Sequence, residues 1–451
     1  MIEKQLRTAL VFTLLIAIGM SHTPTVASQA LLIVNTTDDI DDGFCNSTHC
    51  SLREAILTAN GREGPDNITF DTSVFPLQGS GVIQLTAALP PLHDMYTTID
   101  ASNAGVIVDG GNLTDDDIHG FQIYSSGNTL RGIRLQNIPG VGVMIADFEG
   151  NEVHNNIVDD VVVVDSGYGG PDLSGRIDGI WILAYCKDCR ACRNKIINCT
   201  VENVADDGIE VWTEAGGVAD ENIIIGNTVR NVAEVGIEID VHGPGGSANS
   251  NKVVNNLVED TREQAGIVLN AWSGGSANGN IILSNILTEN AENGFGIYTG
   301  GSGSSVSANL IKNNVIENHS SEGILVAADE DTTSGGNYIV GNTISHQFGE
   351  GIGILLYSND NLVYLNSLVN LHSSAEDNGH YNSWDYGGRG NYWSDYTGQD
   401  QNGDGIGDTP YLVPPNGVDN YPLMTHFAYE QIFLPILMKG YLVPGDGARG
   451  W

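Results

Sequence analysis

The chain has 451 residues, and 56 Asp and Glu against 18 Lys and Arg give a formal charge of −38. That balance repels nucleic acid and anionic membrane surfaces, and it disfavours polyanionic glycans unless cations screen the surface. With 57 Gly and only 16% charged residues, the composition fits a turn-rich all-β protein long enough for one solenoid with caps.

Residues 1–30 read as a secretory signal: Lys4 and Arg7 form a basic start, Ala9 to Met20 an apolar core, and Ser28-Gln29-Ala30 a small-residue cleavage site. The apolar stretch is short for a membrane span and no other run is longer. A secreted or cell-surface chain, soluble and without a transmembrane span, is therefore expected. Residues 31–100 form an N-terminal cap and first strands. Leu31 to Asn35 is a strand; the acidic run Asp38, Asp39, Asp41 and Asp42 reads as a solvated loop in preference to a Ca²⁺ site. Cys45 and Cys50 are expected to form a disulfide. Ser51 and Glu54 have capping-box spacing for a short helix whose Leu52, Ile56 and Leu57 face the end of the solenoid. The run Cys50-Ser51-Leu52-Arg53-Glu54-Ala55 resembles the CSLREA-type element found ahead of β-helices in bacterial surface proteins, which implies a cap. Irregular strands between 61 and 127 are the first coils.

Residues 101–390 carry the repeat. An Asn, four residues and a second Asn recur at Asn222/Asn227, Asn251/Asn256, Asn280/Asn285, Asn309/Asn314, Asn337/Asn342 and Asn361/Asn366. Half a period later comes Gly-Ile, as at Gly236-Ile237, Gly266-Ile267, Gly296-Ile297, Gly323-Ile324 and Gly351-Ile352; the phase runs back through Asn194, Asn151 and Asn128. Short apolar runs rich in β-branched residues leave no room for helices, so each strand must stack in parallel on its copy in the next coil. Asn at a fixed register then forms a ladder and tolerates left-handed turn conformations. The pattern resembles the right-handed parallel β-helix repeat family shared by pectate-lyase-like and NosD-type proteins. The resemblance implies an all-β, right-handed single-stranded parallel β-helix and says little of chemistry.

The coil at Asn151 is enlarged, with a Gly-rich loop near 165–176. Cys186, Cys189, Cys192 and Cys199 follow. Their spacing suits iron–sulfur or zinc ligation, but an exported chain with an even Cys count favours two disulfides, with the pairing open among three choices.

Alternation along the Gly-Ile strands sends Ile209 and Val211 inward and Glu210 and Trp212 outward. Neighbouring coils add Trp181, Glu238, Asp240, Val268, Asn270 and Tyr298, with His242 and Trp272 at the strand ends. Glu210, Glu238 and Asp240 are the candidate acid/base catalysts, because crowded carboxylates raise one another's pKa. Trp181, Trp212, His242, Asn270, Trp272 and Tyr298 are the candidate substrate-binding residues, with extended extracellular polysaccharide as ligand. A chance stacking of carboxylates in so acidic a chain is the competing account. The face holds no Arg or Lys, so Arg-based lyase chemistry is not supported.

Residues 391–424 form a C-terminal cap. Asp400, Asn402, Asp404 and Asp408 have Ca²⁺-loop spacing around Gly405, although Tyr411 stands where a bidentate Glu would be. The ion would be structural, locking a cap in which Tyr392, Trp393, Tyr396 and Tyr421 cover the last coil. This run resembles the C-terminal element of NosD-type proteins. Such relatives are associated with copper-site maturation, yet His319, His346 and His372 occupy only loosely similar turns, and the six Met do not cluster. The tail, 425–451, is too short in its apolar run to span a membrane. Taken together, the sequence predicts a monomeric exported β-helix that binds polysaccharide and has carboxylates placed to cleave it. A non-enzymatic adhesin or scaffold is the alternative, and a metal-site accessory protein a weaker one.

Overall fold

A computed structural model describes residues 30–78, 81–167, 177–371 and 373–426. Residues 1–29 of the signal, the loop tip 168–176, His372 and the tail from 427 lie outside the described residues. The chain winds as a parallel β-helix with three long faces. Twelve strands from Ala30–Val34 to Leu362–Tyr364 make the first sheet, and twelve from Gly81–Gln84 to Tyr392–Trp393 the second. Ten from Phe121–Ile123 to Ser373–Asp377 make the third. Stacking starts earlier than residue 101, since Ala30–Val34 already pairs in parallel with Asp66–Phe70. Inward residues such as Ile209, Val211, Ile237, Ile239, Ile267 and Leu269 are fully buried and form one continuous core. Each contributes about 1.5–3 kcal/mol of burial.

Two Asn ladders run along the corners flanking the first sheet. In one, each backbone N–H donates to the next coil's Asn Oδ1, from Asn128 through Asn156, Asn194, Asn222, Asn251, Asn280, Asn309, Asn337 and Asn361 to Asn382. The other runs from Cys199 through Asn227, Asn256, Asn285, Asn314, Asn342, Asn366 and Asn391 to the buried carboxylate of Asp419. Two expectations change. The left-handed conformation belongs to the residue before nearly every ladder Asn, for example Ser250, Asn255 and Ser284, rather than to the Asn itself. Asn151 is outside the ladder, and Asn156 holds that rung. A stack of glycines precedes the third-sheet strands because a Cβ at Gly236 would meet the Gly266 carbonyl oxygen at 2.6 Å. In the coil of Phe295 that position is Gly294, whereas Gly296 lies opposite Val268.

A third, shorter ladder follows the second sheet: Thr261 N–H donates to Asn290 Oδ1, Asn290 N–H to His319 Nδ1, and His319 N–H to Gln347 Oε1. His319 is therefore a buried rung. Burial pushes its imidazole down to about 4, and a proton on Nδ1 would remove the acceptor that Asn290 uses. Because the folded pKa lies below the unfolded value, His319 supplies its full stabilisation above about pH 6.5 and loses about 3 kcal/mol of it as the pH falls towards 4. His319→Asn restores the amide found at the other rungs. It is expected to match wild type at pH 7 and to retain more thermal stability at pH 4.5; identical acid profiles would refute the assignment.

The ends are closed by polar anchors. Helix Leu52–Asn60 opens with the expected Ser51/Glu54 capping box and buries Leu52 and Ile56, while Leu57 is exposed. The acidic loop is less solvated than its composition suggests: Asp39 is buried and accepts from Arg53 at 2.7 and 3.0 Å and from Thr86 N. At the far end Trp384 and Trp393 are buried, with Trp393 stacked on Tyr411 and its Nε1–H donating to Asp419; Tyr421 is exposed. In the 400–408 loop, Asp400 accepts the amides of Gly403, Asp404 and Gly405, and Asp408 accepts that of Gln401. Among the described residues, these carboxylates are not one of the groups of three potential ligands gathered within 4.8 Å.

Cys45–Cys50 and Cys186–Cys189 are disulfides. The expected second bridge in the Cys186–Cys199 cluster is absent: Cys192 and Cys199 are free and buried. Strand Lys195–Ile197 lies between them, and Cys199 occupies the first slot of the second Asn ladder, facing inward. Burial lifts its thiol to about 12, which leaves it inert.

Candidate functional site

The third sheet carries the predicted constellation in the expected register. Glu210 pairs with Glu238, Trp212 with Asp240, Asp240 with Asn270, and Asn270 with Tyr298. Carboxylate oxygens of Glu210, Glu238 and Asp240 lie within 4.8 Å of one another, and those of Asp178, Asp207 and Glu210 form a second such group. Asp178 and Asp207 went unnoticed in the sequence, although each immediately precedes a stacked glycine, Gly179 or Gly208.

Pointing outward has not meant exposure. Glu210 is 1% exposed, Trp181 8% and Trp212 9%. The two indoles stack at 5.3 Å and 10° and pack against Val141, Met144 and Leu183. Turns preceding the strands fold over the outer face, Val141 here and Val235 and Ala265 further along. Trp181 and Trp212 thus form an outer apolar cluster instead of open binding platforms, and Glu210 lies beneath the surface.

Along the same trench, Glu238 and Asp240 are buried as well, at 8% and 4% exposure. Glu238 Oε1 accepts from Asn270 Nδ2 at 2.6 Å, and Asp240 Oδ2 is 2.8 Å from His242 Nε2. Burial, then the carboxylates of Asp207, Asp240 and Glu210, push the Glu238 carboxyl well above the usual range.

A row of rings borders the trench where the strands end. Successive centroids from His93 to Tyr124, Phe148, Tyr185, Trp212 and His242 are 5.7, 5.5, 6.0, 6.1 and 6.1 Å apart. Trp272 continues the row in register with His242. Phe148, Tyr185 and Trp272 are 42%, 49% and 37% exposed. Tyr124, Phe148 and Tyr185 escaped the sequence reading. Phe148 and Tyr185 stand six residues after the stacked Gly142 and Gly179, the same offset that His242 and Trp272 keep from Gly236 and Gly266, so the spacing could have found them; Tyr124 stands four after Gly120, as Trp212 does after Gly208. Beside Trp272, a cavity of about 460 Å³ opens between Asn270, Tyr298, Glu292 and Glu322.

Residues 193–398 match the family model described as periplasmic copper-binding protein (NosD). This segment is NosD-like. A stretch of 83 residues is 40% identical to the "Probable ABC transporter binding protein NosD" of Stutzerimonas stutzeri; it spans 17% of this chain and 19% of that protein. Among solved structures, the periplasmic alginate epimerase AlgG is 14% identical, with 72% of this chain and 71% of that chain covered and a TM-score of 0.40. PfbA, a surface adhesin of Streptococcus pneumoniae, is 12% identical over 71% of this chain and 80% of that one, with a TM-score of 0.41. Pectate lyase Pel9A is 12% identical over 80% and 82%, again at 0.41.

The NosD description names copper, which favours clustered His, Cys or Met ligands. Among the described residues, the groups of three His, Cys, Asp or Glu ligands within 4.8 Å are all carboxylates, save one joining His49 to Asp42 and Glu54. That hard, oxygen-rich set does not fit copper. No helix among the described residues is long and apolar enough to cross a membrane.

Proposed function

We propose that this chain is an exported β-helix protein that binds polysaccharide along the outer side of the third sheet. The observation that carries this reading is the aromatic row from Tyr124 to Trp272, running coil by coil beside the carboxylate trench. The exposed rings of Phe148, Tyr185 and Trp272, held in line by the half-buried Tyr124 and the buried Trp212, suit the apolar faces of sugars, and exposed patches of this kind mark interaction surfaces. Retention on a panel of immobilised polysaccharides tests it. Tyr185→Ala and Trp272→Ala are each expected to weaken binding about three- to tenfold, the worth of one aromatic contact. No retained polysaccharide, or variants that bind as wild type does, would end the proposal.

The trench also has the parts for hydrolysis. Glu238, whose carboxyl burial and neighbouring carboxylates push upward, is the general acid, and Asp240, steered by His242, is its carboxylate partner; their oxygens are close, as in the pair of a retaining glycosidase, about 5 Å apart. With a retained polysaccharide as substrate, Glu238→Gln should leave binding intact and abolish release of reducing sugar. Turnover unchanged in that variant would reduce the protein to a binder.

A further inference from the structure

The cavity beside Trp272 has a composition that selects among glycans. It opens between strands Ile267–Trp272 and Phe295–Gly300, on the outer side of the third sheet. Two rings, with Ala265, Val268 and Leu325, form its apolar surface. The Trp272 indole lies over Gly300, where a Cβ would come within 1.9 Å of a ring carbon, and Tyr298 lies over Gly296, where the distance would be 2.5 Å. Glycine at both positions lets the rings settle onto the backbone beside the cavity.

Its charged groups are of one sign. Glu292 and Glu322 line the cavity, and Asn270 passes its floor on to Glu238 through the 2.6 Å bond from Nδ2. No Lys or Arg is among the lining residues. The negative field registers on Tyr298: burial, then the carboxylates of Glu292, Glu322 and Glu238, push its phenol up to about 12. Its hydroxyl accepts from Asn293 Nδ2 at 2.7 Å, so its own proton remains available to a ligand oxygen.

We propose that this cavity receives a sugar unit bearing a free, protonated amine, so that the glycan preferred by the protein contains unacetylated amino sugars. The inference rests on the glycan-binding reading above and names its substrate class. An ammonium placed between the Glu292 and Glu322 carboxylates and the face of Trp272 gains charge pairing and a cation–π contact. An N-acetylated or neutral sugar keeps only the stacking, and a uronate meets like charge.

Titration calorimetry with a glucosamine oligomer and with its fully N-acetylated counterpart separates the possibilities. The free-amine oligomer is expected to bind about tenfold more tightly, with an advantage that shrinks as salt is added. The double variant Glu292→Gln/Glu322→Gln should reduce its affinity to that of the acetylated oligomer. Glu317→Gln, on the second sheet, should not. Equal affinity for the two oligomers overturns the amine preference while glycan binding stands. An equal loss with Glu317→Gln also overturns it, because the attraction would then be diffuse. Failure of both oligomers and of every polysaccharide on the panel overturns the glycan reading itself.

Discussion

Asn285→Ala is expected to lower the unfolding free energy by about 4 kcal/mol, more than loss of an average core methyl group would cost. The Asn285 side chain makes four hydrogen bonds. Its Oδ1 accepts from Asn256 N at 2.9 Å and Asn256 Nδ2 at 3.0 Å, and its Nδ2 donates to Val253 O at 2.9 Å and Asn314 Oδ1 at 3.0 Å. Alanine leaves the Asn256 N–H and one Asn256 amide hydrogen without this acceptor in a corner that water does not reach, since Asn256 and Asn285 are both buried. Each such orphan costs about 1–3 kcal/mol. Stability in a solenoid is close to a sum over coils and their neighbours, so the damage should be local first. Hydrogen exchange should accelerate most between residues 251 and 317, with the terminal coils protected longer. A loss under about 1 kcal/mol, or uniform acceleration, would mean that the ladder follows the fold without stabilising it.

The ladder is the part of the molecule that the sequence displays most openly. An Asn that must accept from one coil and donate to the others cannot drift in register, so it recurs at 28 or 29 residues through most of the repeat. The same rule, not applied to Cys199 in the sequence, fits it: it follows Asn194 by five residues, as Asn227 follows Asn222, and lies inside a corner. Compartment and even Cys count argued for a bridge, but local geometry decided. The carboxylates failed in a different way. Alternation correctly sent Glu210, Glu238 and Asp240 outward and into register. Exposure depends on what lies above the sheet, and the turns carrying Val141, Val235 and Ala265 come from residues before the strand, where period-two reasoning does not reach. The rings of Phe148 and Tyr185 were legible by a different rule, since they keep the six-residue offset from the stacked glycine that His242 and Trp272 keep, beyond the reach of strand alternation.

Asp147→Ala is the second large effect expected, about 5 kcal/mol at neutral pH. Asp147 ends strand Val143–Asp147, nearly fully buried, and its carboxylate accepts five backbone amides: Glu149, Gly150, Asn151, Glu152 and Arg190, at 2.7 to 3.1 Å. Hydrogen bonds to a charged acceptor contribute about 1.5–3 kcal/mol each, and some of these amides regain water in the variant, which keeps the total below the simple sum. Burial alone would raise the Asp147 pKa. The amides of Arg190, Asn151, Glu149 and Glu152 outweigh burial and hold it below the usual carboxylate range. Its folded pKa being depressed, the ionised form adds a share of stabilisation that is fully present above about pH 4 and is lost as the pH falls through the folded pKa. The gap in Tm between wild type and Asp147→Ala should therefore be wider at pH 7 than in acid, while the packing and neutral hydrogen-bond part of the loss persists. This window lies under that of His319, so the two groups can be told apart in one acid titration. The loop that Asp147 gathers also carries Phe148, whose ring stands between Tyr124 and Tyr185 in the aromatic row. Polysaccharide retention should consequently fall in Asp147→Ala at temperatures where the solenoid is still folded. Full retention together with an unchanged Tm would show that the five amides need no anion to hold their turn.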